Sequence, residues 1–234
     1  MRYNRKDIKT MINIAIDGPS GAGKSSAAKL ASARLGYVYV DTGALYRAIG
    51  VAALRRGLET TDKEQVLPIL PELQIELAFI DGEQHVLLNG EDVSKEIRLP
   101  EASMAASDVS AMAEVREYLL DLQHKIAAEN NCFMDGRDIG TVILPNAQLK
   151  IFLTATPEIR AKRRYDELIG RGTPVEYETV LQDIIQRDYN DSHREVAPLK
   201  PAEDSVILDS SYLTLEEVVA KIIELVEAIP EEKK

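Results

Sequence analysis

Residues 18–25 read GPSGAGKS, the pattern G-x-x-x-x-G-K-[ST]. They stand between a β-rich run, Ile12-Asn13-Ile14-Ala15-Ile16-Asp17, and a stretch in which Ala27, Ala28, Leu30, Ala31 and Leu35 recur at helical spacing. Strand, glycine loop and helix in that order give the pattern its meaning. Gly18, Gly21 and Gly23 permit backbone conformations that a side chain forbids, so successive N–H groups can turn toward one anion at the positive end of a helix. Pro19, Ser20 and Ala22 complete the loop. Lys24 is expected to bridge the β- and γ-phosphates and Ser25 to face a magnesium shell, with Ser26 closing the run expected to bind ATP. The loop therefore predicts binding of a nucleoside triphosphate. By itself it does not separate a kinase from a mechanical ATPase or a GTPase switch.

Outward from the loop the alternation continues. Residues 37–40 read as a buried strand and 43–57 as a helix through Leu45, Ala48, Ile49, Ala52 and Ala53. From Leu73 the period drops to two, through Ile75, Leu77 and Phe79. Asp81-Gly82 and Asn89-Gly90 offer turns on either side of Val86-Leu87-Leu88, which predicts a small antiparallel insertion over about 71–97. Helical pattern returns over 111–129. Residues 132–135 and 149–153 read as strands around a loop holding Pro145. Pro157 opens a helix that Gly170 to Gly172 closes, 176–191 is an amphipathic helix, 206–208 a fifth core strand and 215–229 a closing helix. Strands alternating with helices make an α/β fold, with a five-stranded parallel sheet covered by helices on both faces. Residues 1–11 read as an N-terminal extension and 12–234 as one core.

Composition narrows the partners. The chain has 234 residues, 45% hydrophobic, enough for a substantial core, and 39 acidic against 28 basic side chains give a net charge of -11. A sequence-independent grip on nucleic acid or anionic lipid does not fit that balance, so an anionic ligand must meet a local basic site. The longest apolar run is four residues, far below the roughly 18 of a membrane span. One cysteine, Cys132, suits a reducing cytoplasm, and three scattered histidines, His85, His124 and His193, offer no metal cluster. We expect a cytoplasmic monomer with no nucleic-acid or membrane partner.

Basic and acidic side chains recur where ligands meet such sheets, at the carboxyl ends of strands. Asp41-Thr42-Gly43-Ala44-Leu45-Tyr46-Arg47 follows the second strand, and Arg47, one turn into a helix, can fork onto a second phosphate. Asp135-Gly136-Arg137-Asp138 follows another strand, with a glycine that allows a sharp turn into the same crevice. Arg187, Asp191 and Arg194 fall at i, i+4 and i+7, on one helix face. Residues 158–171 reverse the overall balance, with Arg160, Lys162, Arg163, Arg164 and Arg171 against three acids. Their place before a glycine pair reads as a closing lid, over about 157–175. A guanine-reading N-K-x-D element is absent, and no strand is followed by the Asp-Glu pair of hydrolytic ATPases.

Together GPSGAGKS, DTGALYR, the stretch 107–116, DGRDIGT, IRAKRR and RDYNDSHREVAPL, in this order, resemble the bacterial cytidylate kinases over about residues 12–229. The resemblance implies a nucleoside monophosphate kinase fold, an acceptor region over about 43–110 that contains the insertion, and a helical lid. It implies transfer of the γ-phosphate of MgATP to CMP or dCMP. It further implies that Ser107, Arg116 and Asp138 read cytosine, that Arg187 and Asp191 hold the pentose, and that Arg47, Arg137 and Arg194 grip the acceptor phosphate beside Thr42. Lys24 with Arg160 and Arg164 are the expected partners of the transition state. Ser26 and Thr42 stand where the family more often has threonine and serine, and both keep the hydroxyl. Two other readings stay open at this point: a kinase for UMP or another small anion, and a nucleotide-dependent regulatory binding protein.

Overall fold

A computed structural model describes residues 11–80 and 83–231. Residues 1–10 of the expected extension, the Asp81-Gly82 turn and the charged tail from 232 lie outside them. β1 (Asn13–Asp17) leads through the glycine loop into α1 (Lys24–Leu35), and β2 (Val38–Asp41) into α2 (Thr42–Arg55). A short α3 (Lys63–Val66) and a 3-10 turn precede three antiparallel strands, β3 (Ile75–Ile80), β4 (Glu83–Leu88) and β5 (Glu91–Asp92), where the alternation predicts them. Helices α4 (Pro100–Ser110) and α5 (Ala113–Glu129) return the chain to β6 (Cys132–Gly136). A π-helical turn (Ile139–Ile143), β7 (Leu149–Thr154), α6 (Pro157–Gly170), α7 (Tyr177–His193), β8 (Val206–Asp209) and α8 (Leu215–Glu227) complete it.

The main sheet has the order β2-β6-β1-β7-β8, all pairs parallel. The two-residue period of the strands loads both faces. Ile14 and Ile16 of β1, with Phe133, Ile151 and Leu153, pack against Ala27, Ala28 and Ala31 of α1 and Val218, Val219 and Ile222 of α8. Ala15, Val40, Cys132 and Met134 point the other way, onto Ile126 and Ala127 of α5 and Ile139 and Ile143 of the π-helical turn. At about 1.5–3 kcal/mol for each large aliphatic side chain removed from water, these two layers fix the sheet. Cys132 is fully buried, and burial pushes its thiol up to about 12, so it serves as core.

A separate apolar cluster joins α2, the three-stranded sheet, α4 and the start of α5, running from Ala44 to Leu119. The sequence pattern gave no notice of α4. Its buried positions are Ala102, Ala105 and Val109, mostly small residues that make a weak apolar stripe. Their smallness has a packing reason: a Cβ at Gly50 of α2 would lie 2.8 Å from the Cβ of Ala105, so the two helices meet nearly backbone to backbone.

Because all five strands run the same way, the residues that follow β1, β2, β6, β7 and β8 gather along one edge. Central β1 brings its glycine loop to the middle of that edge.

Candidate active site

The glycine loop is pressed against β7. Gly18 has φ +146°, and a Cβ there would come within 2.0 Å of the Leu153 carbonyl oxygen, so only glycine fits. Gly23, in the left-handed region, turns the chain into the N-terminus of α1. Lys24 is 6% exposed and donates from Nζ to the Pro19 carbonyl at 2.8 Å, folded back along the loop it would serve. Two outside groups brace the loop. Ser210 Oγ donates to the Ala22 carbonyl at 3.0 Å and Arg160 Nη1 to the Ser20 carbonyl at 3.1 Å. Ser25 and Ser26 sit exposed on the first turn of α1.

Two strand-end carboxylates complete this side, neither of which the sequence reading singled out as a site residue. Asp17 closes β1 and accepts the backbone N–H groups of Ile139 and Gly140, each at 2.7 Å. The donor loop's own strand thereby holds the turn that carries Arg137 and Asp138. Asp135 closes β6 and accepts from Ser25 Oγ at 2.7 Å and from the Tyr39 hydroxyl at 3.2 Å. Thr42 Oγ1 donates to the Asp135 carbonyl at 2.8 Å. Gly136 makes room for that contact, since a Cβ on it would lie 2.8 Å from Thr42 Oγ1 and 2.6 Å from Ile139 Cδ1. A carboxylate at the carboxyl end of a strand beside a glycine loop was a signal available in the sequence at both positions.

On the acceptor side, Asp41 caps α2 by accepting from the Ala44 N–H at 3.1 Å and pairs with Arg47 Nη2 at 2.6 Å. Its own N–H donates to Gln84 Oε1 at 2.9 Å, which ties β4 of the insertion to β2. Arg137 Nε donates to Asp191 Oδ2 at 2.7 Å, and Arg116 pairs with Asp138, both nearly buried. Arg116 also reaches the Ser110 carbonyl at 3.2 Å and stands 5.4 Å above the Tyr46 ring. Arg194 lies 3.7 Å from Asp138, and its buried Nη2 has no hydrogen-bond partner. A buried guanidinium nitrogen without a hydrogen-bond partner is an unsatisfied donor that an anion would complete. Ser107 lies on the exposed side of α4, one turn before Ser110.

Charge around Arg187 locates the crevice. Although the Arg187 side chain is exposed on α7, the surrounding protein first, then the positive charges of Arg137, Arg47 and Arg164, lower its pKa, with Asp191 as its opposing partner. Burial works to raise Asp191, but Arg137, Arg187 and Arg194 overcome it and hold the carboxyl below its usual range. The structure thus gathers Arg47, Arg137, Arg164, Arg187, Asp191 and Arg194 in one region. It places Arg160 elsewhere. That side chain is 2% exposed, beneath the glycine loop and forked onto Asp188, so the structure does not bring it into the crevice with Arg164. Arg164 is half exposed and pairs with Glu167, one turn further along the helix, at 2.8 Å. Of the histidines, His193 stacks on Tyr189 at 4.1 Å between ring centroids, at the exposed end of α7.

Burial sets opposite shifts on the two central groups. It brings Lys24 down to about 7, with the charge of Arg137 adding to it, and it raises Asp135 to about 6, with Asp41 adding to it. An incoming polyphosphate favours charged Lys24 and raises its pKa again, so binding above pH 7 must take up protons. We expect nucleotide affinity to fall as pH rises through about 7.5 to 8.5, and calorimetry at pH 7.5 in buffers of different ionisation enthalpy to read net proton uptake. Buffer-independent heats would contradict a partly neutral Lys24.

Comparison with known proteins bears on this geometry. The family model described as cytidylate kinase matches residues 14–228. The curated cytidylate kinase of Caldicellulosiruptor bescii is 52% identical over 214 residues, covering 92% of this chain and 95% of that protein. That of Bacillus subtilis is 46% identical over 216 residues, covering 92% and 96%. Among solved structures, an uncharacterized protein from Eubacterium ventriosum superposes with a TM-score of 0.53 at 13% identity, over 93% of this chain and 99% of that one, a likeness of fold alone.

Proposed function

The chain belongs to the cytidylate kinase family, and from that premise we propose how its crevice works. The enzyme transfers the γ-phosphate of ATP to CMP or dCMP, giving ADP and CDP or dCDP. One observation carries the assignment of parts. Within four residues, the end of β6 delivers Asp135 to the glycine loop and Arg137 and Asp138 to the arginine-lined side. Donor and acceptor are then read from two sides of a single strand end.

Residues 18–26 bind ATP through loop N–H groups and Lys24. On the acceptor side, Thr42, Arg47, Arg137 and Arg194 take the CMP phosphate and Arg187 and Asp191 the pentose. Ser107, Arg116 and Asp138 take the base. Cytosine presents a 4-amino donor where uracil presents a carbonyl, so the Asp138 carboxylate accepts from one and opposes the other. A contact from Asp191 to the 3′-hydroxyl admits ribose and deoxyribose alike. The acceptor region is about 43–110 with the insertion at 71–97, and the lid is about 157–175.

The nucleophile is a phosphate oxygen, mostly ionised at neutral pH, so no general base is needed. Catalysis is alignment and charge neutralisation. Lys24 meets the β- and γ-phosphates, the acceptor arginines hold the attacking phosphate in line, and Arg164 swings with the lid onto the transferring group. Lid closure excludes water, which would otherwise compete as nucleophile. For magnesium, the Ser25 hydroxyl and the Asp135 carboxylate, 2.7 Å apart, are oxygen groups suited to a hard cation and its water shell. No cluster of three or more His, Cys, Asp or Glu able to hold a metal occurs among the described residues, so phosphate and water would supply most ligands. When bound, the ion offsets phosphate charge. No helix among the described residues is long and apolar enough to cross a membrane, and we propose a monomer working on free nucleotides in the cytoplasm.

The test is coupled ADP release with CMP, dCMP, UMP and AMP as acceptors. CMP and dCMP are expected to be the best by at least tenfold, with weak ATP hydrolysis when no acceptor is present. Arg137→Ala should lower kcat/KM for CMP by about 10²-fold while ATP binding persists, since it removes one charged donor from the acceptor phosphate. An unchanged rate would sink the acceptor assignment.

A further inference from the structure

Two arginines of the basic helix α6 are tied by their hydrogen bonds to the protein, Arg163 to Ser210 and Arg160 to the glycine loop and α7. Arg160 Nε donates to the Ala155 carbonyl at 2.8 Å and Nη1 to the Ser20 carbonyl at 3.1 Å. Its two terminal nitrogens fork onto Asp188 at 2.9 and 2.5 Å. The glycine loop lies directly on this side chain, because a Cβ at Gly21 would stand 3.1 Å from the Arg160 Cβ. Asp188 belongs to α7. It is the neighbour of Arg187 and lies one turn before Asp191, and Arg194 follows the same helix. A single guanidinium therefore links a carbonyl of the donor loop to the helix that carries Arg187 and Asp191 and leads into Arg194.

The planar fork of arginine makes this link stiff, since two parallel bonds to one carboxylate fix angle as well as distance. A displacement of Ser20 on phosphate binding is passed to Arg160 unless the bond between them breaks. A displacement of Arg160 must be shared by Asp188. On its other side α7 is bonded through Asp191 to Arg137, on the β6 turn that Asp17 of β1 holds by Ile139 and Gly140. The helix is thus linked at two points, through Asp17 and through Ser20, to the start of the donor loop.

We propose that the Arg160–Asp188 pair is a coupling clamp. It sets α7, with Arg187, Asp191 and Arg194, in register with the phosphate loop, so that occupancy of the donor site changes affinity for the acceptor. Arg160 is a positioning residue, and contact with the transferring phosphate falls to Arg164. The inference rests on the reading of the crevice as an ATP and CMP site.

Its test measures the dissociation constant of CMP with and without a non-hydrolysable ATP analogue in the full chain, for wild type, Asp188→Asn, Asp188→Ala, Arg160→Met and the double variant Arg160→Met/Asp188→Leu. In the wild type the analogue should tighten CMP by about fivefold or more. Both Asp188 variants should bring that factor toward one and raise KM for CMP about tenfold. Their affinity for the analogue alone should stay within about twofold, because Arg160 keeps its bond to Ser20. The Asp188 side chain is 28% exposed, so Asp188→Asn is expected to fold, with thermal unfolding as the check. The double variant should bind CMP no worse than Arg160→Met alone, the non-additivity of groups that act as a pair. A wild-type factor of one, or a factor unchanged in Asp188→Ala, overturns the clamp. So does an Arg160→Met enzyme whose kcat falls about 10³-fold at unchanged KM for CMP, which would put the guanidinium on the transferring phosphate. Failure of the wild type to release ADP with CMP overturns the kinase reading instead, a distinct result in the same preparation.

Discussion

Lys24→Met is expected to lower kcat for phosphoryl transfer to CMP by on the order of 10³-fold, about 4 kcal/mol of transition-state stabilisation. On the proposed reading Lys24 is the fixed cation that meets the charge developing on the bridging and terminal oxygens, and methionine matches its length and apolar stem without the ammonium. The loss should not come from unfolding. Burial brings Lys24 down from 10.5 to about 7, which means the fold disfavours its charge, and an apolar side chain escapes that penalty. The variant should therefore unfold at or above the wild-type temperature. Single-turnover transfer and a thermal scan on one sample check both halves. A kcat within tenfold of wild type would show that the charge is supplied elsewhere.

Asp138→Ala should do the reverse and damage both stability and recognition. Arg116 is 8% exposed and Asp138 3%, and removing the carboxylate strands a buried guanidinium, with Arg194 close by. Breaking such a pair from one side costs about 3–5 kcal/mol. For a chain of this length each kcal/mol moves Tm by about 2–4 °C, so a fall on the order of ten degrees is expected. The milder Asp138→Asn separates the two effects. It keeps the volume and one acceptor oxygen, and adds an amide donor that can meet the 4-carbonyl of uracil. Its kcat/KM should fall about tenfold or more for CMP and rise for UMP. Asp138→Asn with wild-type preference between the two bases would remove Asp138 from base recognition, whatever the stability result.

What could be read in advance divides by range. The glycine loop, the alternation of strands and helices and the antiparallel insertion were legible because each is a local pattern of period, turn and cap. The order of the strands was not. Nothing in the spacing states that β1 lies between β6 and β7, since the pairing of Asn13 with Cys132 is decided by packing on both faces. The site shows the same division. Lys24, Arg137 and Arg194 stand in recognisable motifs. Whether a given arginine is free or committed depends on a partner far along the chain, as with Arg160 and Asp188 or Arg116 and Asp138. Asp17 and Asp135 could have been marked from sequence, as carboxylates at strand ends beside glycines. Their partners, two backbone N–H groups in one case and a serine and a tyrosine in the other, follow only from the sheet order. Helix α4 escaped because its buried face is alanine, chosen for closeness to Gly50 rather than for hydrophobicity.

The central place of β1 also governs the order in which the chain can assemble during synthesis. Its two neighbours are β6 and β7, so Asn13 waits for Cys132 and Ile14 for Leu149 before either edge of the strand is paired. At about 5–20 residues per second of translation that is a delay on the order of ten seconds. The cluster from Ala44 to Leu119, by contrast, draws all its members from within its own span. It can close while the glycine loop is still an unpaired segment at the front of the nascent chain. The part of the chain that carries Arg47, Ser107 and Arg116 can thus pack first, whereas Arg137, Asp138, Arg187, Asp191 and Arg194 arrive only as β6 and the elements after it emerge, β6 and β7 sliding in on either side of a strand synthesised long before them.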